Sequence, residues 1–436
     1  MKLQGTMQIN GQGCLEIGGC DVADLARNFG TPLIIIDEAL LRDNAGRYRQ
    51  AFARDDGDAV IYASKAFSSP AIARIIDNEG LGLDVVSGGE LRIALSADFP
   101  PEKIFFHGNN KSLPELEYAL SCGVGRIVID NRHELLQLEQ ISAAGGYRPS
   151  VLLRLAPGVD AHSHAYISTG QTDSKFGFNI FGGDALEAVE RAWKSPYLDL
   201  KGVHCHIGSQ IFDLNVFRCA ARVMMDFLQE AREHSGWTAA ELDLGGGLGV
   251  YYTSGDKPPS IEDYAEAIKE AVFQKCKEHK FPRPRIIVEP GRSMISPPGT
   301  TVYTLGSSKE IPGVRKYVAV DGGMSDNPRP ALYQAAYEGI IANKAAAQAE
   351  ERVAVTGRCC ESGDMLIWDL AVPRVEPGDL LAISCTGAYT YSMSSNYNAL
   401  TRPAVILVKE GHAEIIVERE TWGDLLRLHR IPERLF

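Results

Sequence analysis

A short β-prone run of residues occurs eight times between residues 37 and 292, and an amphipathic segment usually follows it. Alternation of this kind is typical of parallel strands joined by crossover helices. Eight such units in a segment of this length predict a closed (β/α)8 barrel rather than an open sheet. The eight runs are Val60–Ala63, Leu83–Val86, Ile104–His107, Arg126–Ile129, Val151–Leu155, Leu200–His206, Glu241–Leu244 and Arg285–Val288.

Polar side chains or glycines lie at the carboxyl end of every one of these runs or directly after it. In a parallel barrel the carboxyl ends of the strands converge on one mouth, where ligands bind. Turns also favour Gly, Asn, Asp and Ser, so a single polar end could be simple turn chemistry. The whole set includes a lysine, an arginine, a histidine and a glutamate, and it predicts a functional site. Its members are Lys65, Asp84, Ser87, His107, Asn109, Asp130, Asn131, Arg154, His206, Ser209, Gly245, Gly246, Gly247, Glu289 and Arg292.

The sequence pattern changes after about residue 293. Runs with a period of two follow, among them Tyr317–Val320, Asp379–Ser384 and Ala404–Val408, and they predict a second, all-β domain. The first 36 residues are rich in glycine and contain strand-like runs of their own. We therefore expect an α/β barrel domain over residues 37–292. Residues 1–36 and 293–436 are expected to form the β domain, a sandwich or barrel.

Composition limits the classes of function. A net charge of -12 argues against nucleic acid or an anionic membrane as a partner. The chain has no apolar run of membrane-spanning length, and its amino terminus does not resemble a signal peptide. The nine cysteines are odd in number and lack paired metal-ligand spacing. We therefore expect reduced thiols, a cytoplasmic protein and no metal site.

A lysine, a glycine loop and a carboxylate on separate strand ends predict a small phosphate ester as ligand. Gly245, Gly246 and Gly247 let backbone N–H groups approach an anion, although three glycines alone could simply form a tight turn. Their spacing fits neither a nucleotide P-loop nor a dinucleotide fingerprint. Pyridoxal 5'-phosphate needs all three parts: a lysine for its aldehyde, donors for its phosphate and a partner for its ring nitrogen. Glu289 is the candidate for that partner.

Simpler interpretations of the same residues remain open. Lys65 could be a lysine that extends from a strand end into solvent. Glu289 could form an ion pair with Arg292, and His206 could be a core histidine. Cys360 follows another cysteine and could be a small buried filler. A metal site in the run His204–His206 is not expected, because alternate residues of a strand point to opposite faces.

The motifs of this chain resemble those of the fold-type III pyridoxal-phosphate decarboxylases, in order and over essentially the whole length. The general motifs are Tyr62–Phe67, Asp84–Leu91, His204–Gln210, Gly245–Gly247 and Glu289–Arg292. A second set is more specific within that family. It consists of Thr169–Gly170, Ser174–Gly177, Arg329–Tyr333, Cys360–Asp364 and Gly387–Tyr389.

The resemblance implies a role for each site residue. Lys65 would form the Schiff base, His206 would stack on the cofactor ring, and Cys360 would return the proton, with Lys65 as the competing donor. The implied cofactor-binding residues are Lys65, Asp84, His206, Ser209, Gly245, Gly246, Gly247, Glu289, Pro290, Gly291, Arg292 and Tyr389. The implied substrate-binding residues are Arg292, Arg329, Tyr333, Glu361 and Tyr389. The resemblance also implies a homodimer whose active sites are shared at the subunit interface.

The reaction that the resemblance implies is the decarboxylation of meso-2,6-diaminopimelate to L-lysine and carbon dioxide, the last step of lysine biosynthesis. Arg292 and Arg329 agree with it, because a planar guanidinium suits the carboxylate at the far end of that substrate. Three alternatives stay open. They are a decarboxylase of ornithine, arginine or carboxynorspermidine; a racemase, whose ring-nitrogen partner is an arginine where this chain has Glu289; and a non-catalytic regulatory relative that binds pyridoxal phosphate.

Overall fold

The structure is a computed structural model of the chain, and it describes residues 1–52, 57–159 and 174–436. It divides into two compact units. The barrel unit contains Asp43–Val250 and Lys257–Met294, and the β unit contains Met1–Arg42, Tyr251–Asp256 and Ile295–Phe436. The domain boundaries at residues 37 and 293 stay a prediction.

Eight parallel strands form a closed ring in the barrel unit, so the predicted barrel is confirmed. Each strand pairs with the next, and the last pairs with the first. Phe178–Asn179 adds a short parallel strand beside the fifth. The eight are β1 Ala59–Ala63, β2 Gly82–Val85, β3 Ile104–Phe106, β4 Arg126–Ile129, β5 Ser150–Ala156, β6 Asp199–His204, β7 Glu241–Asp243 and β8 Arg285–Val288.

Helices alternate with these strands, and side-chain caps define where several of them begin. Ser69 accepts from the backbone N–H of Ile72, with Pro70 at the first helical position. Asn131 caps the helix after β4 in the same way, accepting from Glu134. Such caps end the polar loop that leaves each strand and fix its length. The helices are Glu38–Phe52, Pro70–Asn78, Gly88–Ser96, Leu113–Cys122, Arg132–Gly145, Asp184–Lys194, Leu214–Ser235, Ile261–His279 and Arg292–Ile295.

Apolar side chains fill the barrel interior below the mouth. Alternate residues of a strand face the same side, so the inward positions of the strands can meet in one layer. The buried layer comprises Ala59, Ile61, Phe105, Val128, Leu152 and Ile287. The polar strand ends lie beyond this layer, toward the carboxyl ends of the strands.

The β unit contains a mixed sheet and a small three-stranded sheet. Leu33–Asp37 pairs antiparallel with Gly299–Ile311 and parallel with Ala404–Lys409, so the amino-terminal segment belongs to this β region, as predicted. The remaining strands of the mixed sheet are Arg315–Val320, Gly339–Ile341, Glu351–Thr356, Met365–Val372, Leu380–Ser384 and His412–Val417. The small sheet is Gln8–Ile9, Leu15–Ile17 and Cys20–Asp21, and the helices are Val22–Phe29, Arg329–Tyr333 and Trp422–Leu426.

None of the helices in the described part of the chain has the length and hydropathy needed to cross a membrane.

Candidate active site

A cavity of about 380 Å³ opens among the carboxyl ends of the barrel strands. Its size is within the range of small-ligand sites. Its lining combines strand-end residues with Phe176, which follows the fifth strand and its loop. The lining residues are Lys65, Val86, His107, Gly108, Asn109, Arg154, Phe176, His204, His206 and Glu289.

Lys65 and Asp84 face each other across two neighbouring strand ends. Lys65 lies in a single turn of 3-10 helix, Ser64–Ala66, directly after β1, and Asp84 lies on β2 and is fully buried. Lys65 Nζ is 3.2 Å from Asp84 Oδ2. The other carboxylate oxygen of Asp84 is buried and has no hydrogen-bond partner among the described residues. The pair therefore places an amine at the mouth with a carboxylate that orients it.

Glu289, just after β8, is buried against two histidines. Glu289 Oε1 lies 2.6 Å from His107 Nε2, and Glu289 Oε2 lies 3.1 Å from His204 Nε2. Burial alone would raise the pKa of Glu289, but His107 and His204 together hold that pKa well below its usual range. Burial lowers the pKa of His204 to about 4, so this imidazole is neutral at neutral pH. The arrangement keeps a charged carboxylate in a site shielded from water.

His206 follows β6 and joins the cavity to the glycine loop. The backbone N–H of Gly246 points at His206 Nδ1 from 3.4 Å. Burial first, and the charge of Lys65 second, lower the pKa of His206 to about 3. The ring that lines the cavity is therefore uncharged at neutral pH.

The glycine loop after β7 has no room for side chains. Gly245 has φ +64°, in the left-handed region, and a Cβ on Gly246 would lie 2.2 Å from the backbone oxygen of Glu289. A Cβ on Gly247 would lie 2.6 Å from the backbone oxygen of Gly208, which precedes Ser209. The loop thus lies close to the loop after β6, where the absence of a Cβ allows its backbone to approach neighbouring backbone.

Arg292 lies on the same side, at the start of a four-residue helix. Its Nε and Nη2 atoms donate to Ser209 Oγ at 3.1 and 3.0 Å. An arginine, a hydroxyl and glycine backbone are donors that suit a phosphate group. Arg292 was the alternative partner expected for Glu289. The described contacts of Glu289 are instead with His107 and His204.

The site contains residues to which sequence reasoning assigned no role. His107, Asn109 and Arg154 were recognised as strand-end residues, and His204 as part of a motif, but none was linked to Glu289 or to the ligand. Arg154 lies with its Cζ 4.2 Å from the ring centre of Phe176. The position of a strand end was the available signal for His107 and Arg154. The signal for Phe176 was its place in the motif Ser174–Gly177, although no role was assigned to it.

The β unit contains the other predicted residues. Arg329 is buried, donates to Tyr337 Oη at 2.5 Å, and lies over the rings of Tyr252 and Tyr337 at 4.9 and 5.6 Å from their centres. Tyr333 ends the same short helix and is exposed. Tyr252 and Tyr337 were not expected beside this arginine. The two rings pack against the planar guanidinium of Arg329 and hold it in place.

The loop that follows Glu351–Thr356 carries Cys360 and Glu361, and both are exposed. The backbone N–H of Cys360 donates to Asn398 Oδ1 at 2.8 Å. Exposure excludes the interpretation of Cys360 as a buried filler. Tyr389 has φ +59°, an uncommon backbone conformation for a tyrosine. The motif Thr169–Gly170 lies outside the described residues.

A parallel barrel with a lysine, buried carboxylates and a glycine loop at its mouth defines an enzyme that binds pyridoxal phosphate. Comparisons with known proteins agree: residues 38–296 match the family described as "Pyridoxal-dependent decarboxylase, pyridoxal binding domain". The chain belongs to that family.

Full-length relatives narrow the family further. The diaminopimelate decarboxylase of Bacillus subtilis is 52% identical, with 98% of both chains covered. That of Synechocystis is 46% identical over 99% of this chain and 93% of the relative. A crystal structure of diaminopimelate decarboxylase from M. jannaschii in co-complex with L-lysine is 37% identical, with a TM-score of 0.92 and 99% of both chains covered. Within the family, the chain belongs with the diaminopimelate decarboxylases.

The residues at the barrel mouth fit pyridoxal 5'-phosphate, the cofactor of this family. Glu289 Oε1 is close to His107 Nε2 but outside hydrogen-bonding geometry, and Asp84 Oδ1 is buried without a hydrogen-bond partner among the described residues. Buried polar atoms of this kind are rare unless another group satisfies them. The glycine loop packs closely against neighbouring backbone, so only glycine fits at Gly246 and Gly247 without a shift. The site thus provides an amine, an acceptor and an anion cradle for one ligand.

Proposed function

We propose that this chain decarboxylates meso-2,6-diaminopimelate to L-lysine and carbon dioxide with pyridoxal 5'-phosphate, as the last step of lysine biosynthesis. The observation that carries the proposal is the cavity lined by both Lys65 and the ionised Glu289, with Asp84 in contact with Lys65. The choice of substrate is supported by full-length relatives of that name and by the L-lysine in the M. jannaschii complex.

The cofactor would be held at four points by residues of the barrel unit. Lys65 would bind its aldehyde carbon, His206 the face of its ring, and Glu289 its ring nitrogen. Ser209, Arg292 and the glycine loop Gly245–Gly247 would hold its phosphate. When bound, the cofactor supplies the electron sink for the bond that breaks at the substrate Cα.

The residues around Lys65 and Glu289 keep these two groups in place. Asp84 orients the Lys65 amine through the 3.2 Å contact. The backbone N–H of Ala63 donates to the oxygen of Pro290 at 3.2 Å, and a Cβ on Gly291 would lie 3.0 Å from the Cβ of Ala63. Pro290 and Gly291 therefore contribute through a close approach of β8 to β1. This close approach positions Glu289, just after β8, relative to Lys65, just after β1.

Residues of the β unit would bind the substrate and complete the reaction. Arg329, with its guanidinium held by two tyrosines, suits the carboxylate at the far end of the substrate, and Arg292 is the second candidate for it. Tyr333 and Tyr389 would add hydroxyl groups, and Glu361 would accept from the distal ammonium. Cys360 Sγ would return the proton to the substrate Cα, with Lys65 Nζ as the competing donor.

We also propose that the chain works as a homodimer in the cytoplasm. Cys360 and Glu361 of one chain would serve the barrel of its partner, and Tyr389 would reach the cofactor phosphate. Two observations support these proposals. Cys360 and Glu361 are exposed on a loop, where binding residues concentrate, and the described cysteines form no disulfide, which suits a reducing compartment.

The decisive experiment supplies the purified chain with pyridoxal 5'-phosphate and meso-2,6-diaminopimelate and measures carbon dioxide and L-lysine. Ornithine, arginine and carboxynorspermidine are assayed in parallel. We expect kcat/KM to be highest for diaminopimelate. A higher value for one of the other amino acids would make this a different decarboxylase, and no carbon dioxide from any of them would indicate a non-catalytic relative.

Lys65→Ala tests the proposed role of the lysine. We expect the variant to lose both carbon dioxide release and the cofactor that borohydride traps on the wild-type protein, because the amine that binds the aldehyde is gone. Lys201→Ala is the matched control, since Lys201 is a barrel-unit lysine that pairs with Asp199. Cofactor trapped equally on Lys65→Ala and wild type would place the covalent bond on another lysine.

A further inference from the structure

Asp243, the last residue of β7, lies in a buried group of four titratable side chains. It is fully buried, and the strand register pairs it with His204 on β6. One carboxylate oxygen from each of Asp243 and Glu289 and one ring nitrogen from each of His107 and His204 form a cluster. These four atoms all lie within 4.8 Å of one another. The roles proposed above use Glu289 of this group and leave Asp243 without one.

The two carboxylate oxygens of Asp243 have different surroundings. Oδ1 accepts from the backbone N–H of Gly245 at 2.9 Å, which joins Asp243 to the glycine loop. Oδ2 is buried and has no hydrogen-bond partner among the described residues. The backbone N–H of Glu289 also donates to the oxygen of Gly245 at 2.8 Å. Asp243, the loop and Glu289 thus form one connected unit.

Two buried carboxyl groups this close do not both ionise, because each charge opposes the other. The histidines stabilise the charge on Glu289, so the proton belongs on Asp243. Burial first, and Glu289 second, raise the pKa of Asp243 well above its usual range. An imidazolium on His204 would be the alternative partner for an ionised Asp243, but burial lowers the pKa of His204 to about 4.

Other titratable groups face this pair from the surrounding elements. Tyr264, on the helix Ile261–His279, is buried, and its hydroxyl has no hydrogen-bond partner among the described residues. Arg154 is the cation of the set. The groups facing the pair include Asp84 on β2, His107 after β3, Arg154 on β5, His204 and Cys205 at the end of β6, His206 two residues beyond β6, and Tyr264.

We propose that Asp243 is a positioning residue of the cofactor site, which keeps its proton in the folded chain and ties the glycine loop to the Glu289 carboxylate. One oxygen accepts from Gly245, and the protonated oxygen is directed at Glu289. Asp243 then positions both ends of the cofactor site, because it lies between the glycine loop that would hold the phosphate and the Glu289 carboxylate that would bind the ring nitrogen.

The first test uses Asp243→Asn, because an amide has the shape and hydrogen-bonding groups of a protonated carboxyl. Thermal unfolding of the cofactor-free chain is followed from about pH 5 to about pH 8. A carboxyl group whose pKa is higher in the folded chain than in the unfolded chain takes up a proton on folding. Such a group lowers the free energy of unfolding as the pH rises above its pKa in the unfolded chain. We therefore expect the Tm of Asp243→Asn to rise relative to wild type as the pH increases.

Asp58→Asn is the control for this measurement. Asp58 is a buried barrel-unit carboxylate whose two oxygens accept from Arg283 at 3.0 and 2.7 Å, so its replacement breaks an ion pair. We expect this variant to have a lower Tm than wild type across the whole pH range, because the ion pair with Arg283 is lost. The proposal is overturned if the difference in Tm between wild type and Asp243→Asn is constant with pH. It is also overturned if the Tm of wild type rises relative to that of Asp243→Asn as the pH increases.

The second test measures the affinity of the cofactor-free chain for pyridoxal 5'-phosphate by absorbance, and this part rests on the proposed cofactor site. Asp243→Asn should bind with wild-type affinity and the same absorption band. Asp243→Leu loses both oxygens and should bind at least about tenfold more weakly. Equal weakening in both variants overturns the proposal. If the wild-type chain bound no cofactor, the proposed function would fail, and the unfolding experiment would still decide the protonation of Asp243.

Discussion

Glu289 shows at the residue scale how a buried carboxylate remains charged. Its side chain is only 3% exposed, a degree of burial that by itself raises the pKa of a carboxyl group. His107 and His204 contact its two oxygens and reverse that effect. The result is a carboxylate ionised at neutral pH, the state that stabilises a protonated ring nitrogen.

Replacing this carboxylate by Glu289→Gln keeps the shape of the side chain and removes its charge. A charge-assisted hydrogen bond contributes about 1.5–3 kcal/mol, and here it would act mainly on the transition state, so we expect kcat to fall about tenfold to a hundredfold. Carbon dioxide release measures kcat, and cofactor absorbance confirms that the variant is loaded. Glu187→Gln, on an exposed residue paired with Arg132, is the control. An unchanged kcat in Glu289→Gln would show that the ring nitrogen has another partner.

At the scale of elements, the loop between β7 and the next helix depends on close backbone approach. Gly246 lies against the backbone of Glu289, and Gly247 against that of Gly208. Both neighbours are backbone atoms, which move less readily than the end of a flexible side chain. The position of the loop therefore depends on tight packing against backbone, which any side chain would disturb.

Gly246→Ala tests this requirement directly. The added Cβ would lie 2.2 Å from the backbone oxygen of Glu289, so the loop must shift away from its present position. We expect the affinity for pyridoxal 5'-phosphate to fall at least about tenfold and the Tm to decrease. Titration of the cofactor-free chain and thermal unfolding measure the two effects.

Gly46→Ala is the matched control for this substitution. Gly46 lies inside the helix Glu38–Phe52, and a Cβ there would meet no atom within 4 Å. Alanine favours a helix over glycine by about 1 kcal/mol, so this variant should be as stable as wild type or more stable. Cofactor affinity equal in Gly246→Ala and Gly46→Ala would contradict the role of the loop.

At the scale of the whole molecule, the proposed chemistry divides between two units. Lys65 belongs to the barrel unit, whereas Cys360 and Glu361 lie on an exposed loop of the β unit. If one chain lends this loop to its partner, then two chains inactive for different reasons can form one intact site together. A symmetric dimer makes this test simple, because each of its two sites draws on both chains.

The test mixes Lys65→Ala chains with Cys360→Ala chains and allows the subunits to exchange. Half of the dimers are then mixed and have one complete site each, so we expect about a quarter of wild-type activity. Each variant alone is measured as the control, and sedimentation confirms the dimer. Activity equal to the average of the two separate variants would contradict a shared site. It would show either that Lys65 and Cys360 of the same chain form one site, or that these two residues do not act in the same site.

What the amino-acid sequence by itself determined is the ring of strands and the chemistry at their ends. Each predicted run begins and ends within two residues of the observed strand, because the alternation of β-prone and amphipathic segments is a local property. Lys65, His206 and Glu289 then meet in one cavity, because a parallel barrel gathers its carboxyl ends at one mouth. The strand-like run at residues 33–36 was also predicted to belong to the β region, and the observed strand extends it to Asp37.

Only the tertiary structure decided which strand ends touch. Glu289 contacts His107 and His204, which precede it by more than eighty residues, and Asp243 reaches the same place from β7. Such contacts depend on strand register and on closure of β8 against β1. The same is true in the β unit of the tyrosines around Arg329. No local pattern records these pairings, because they join segments that only the folded chain brings together.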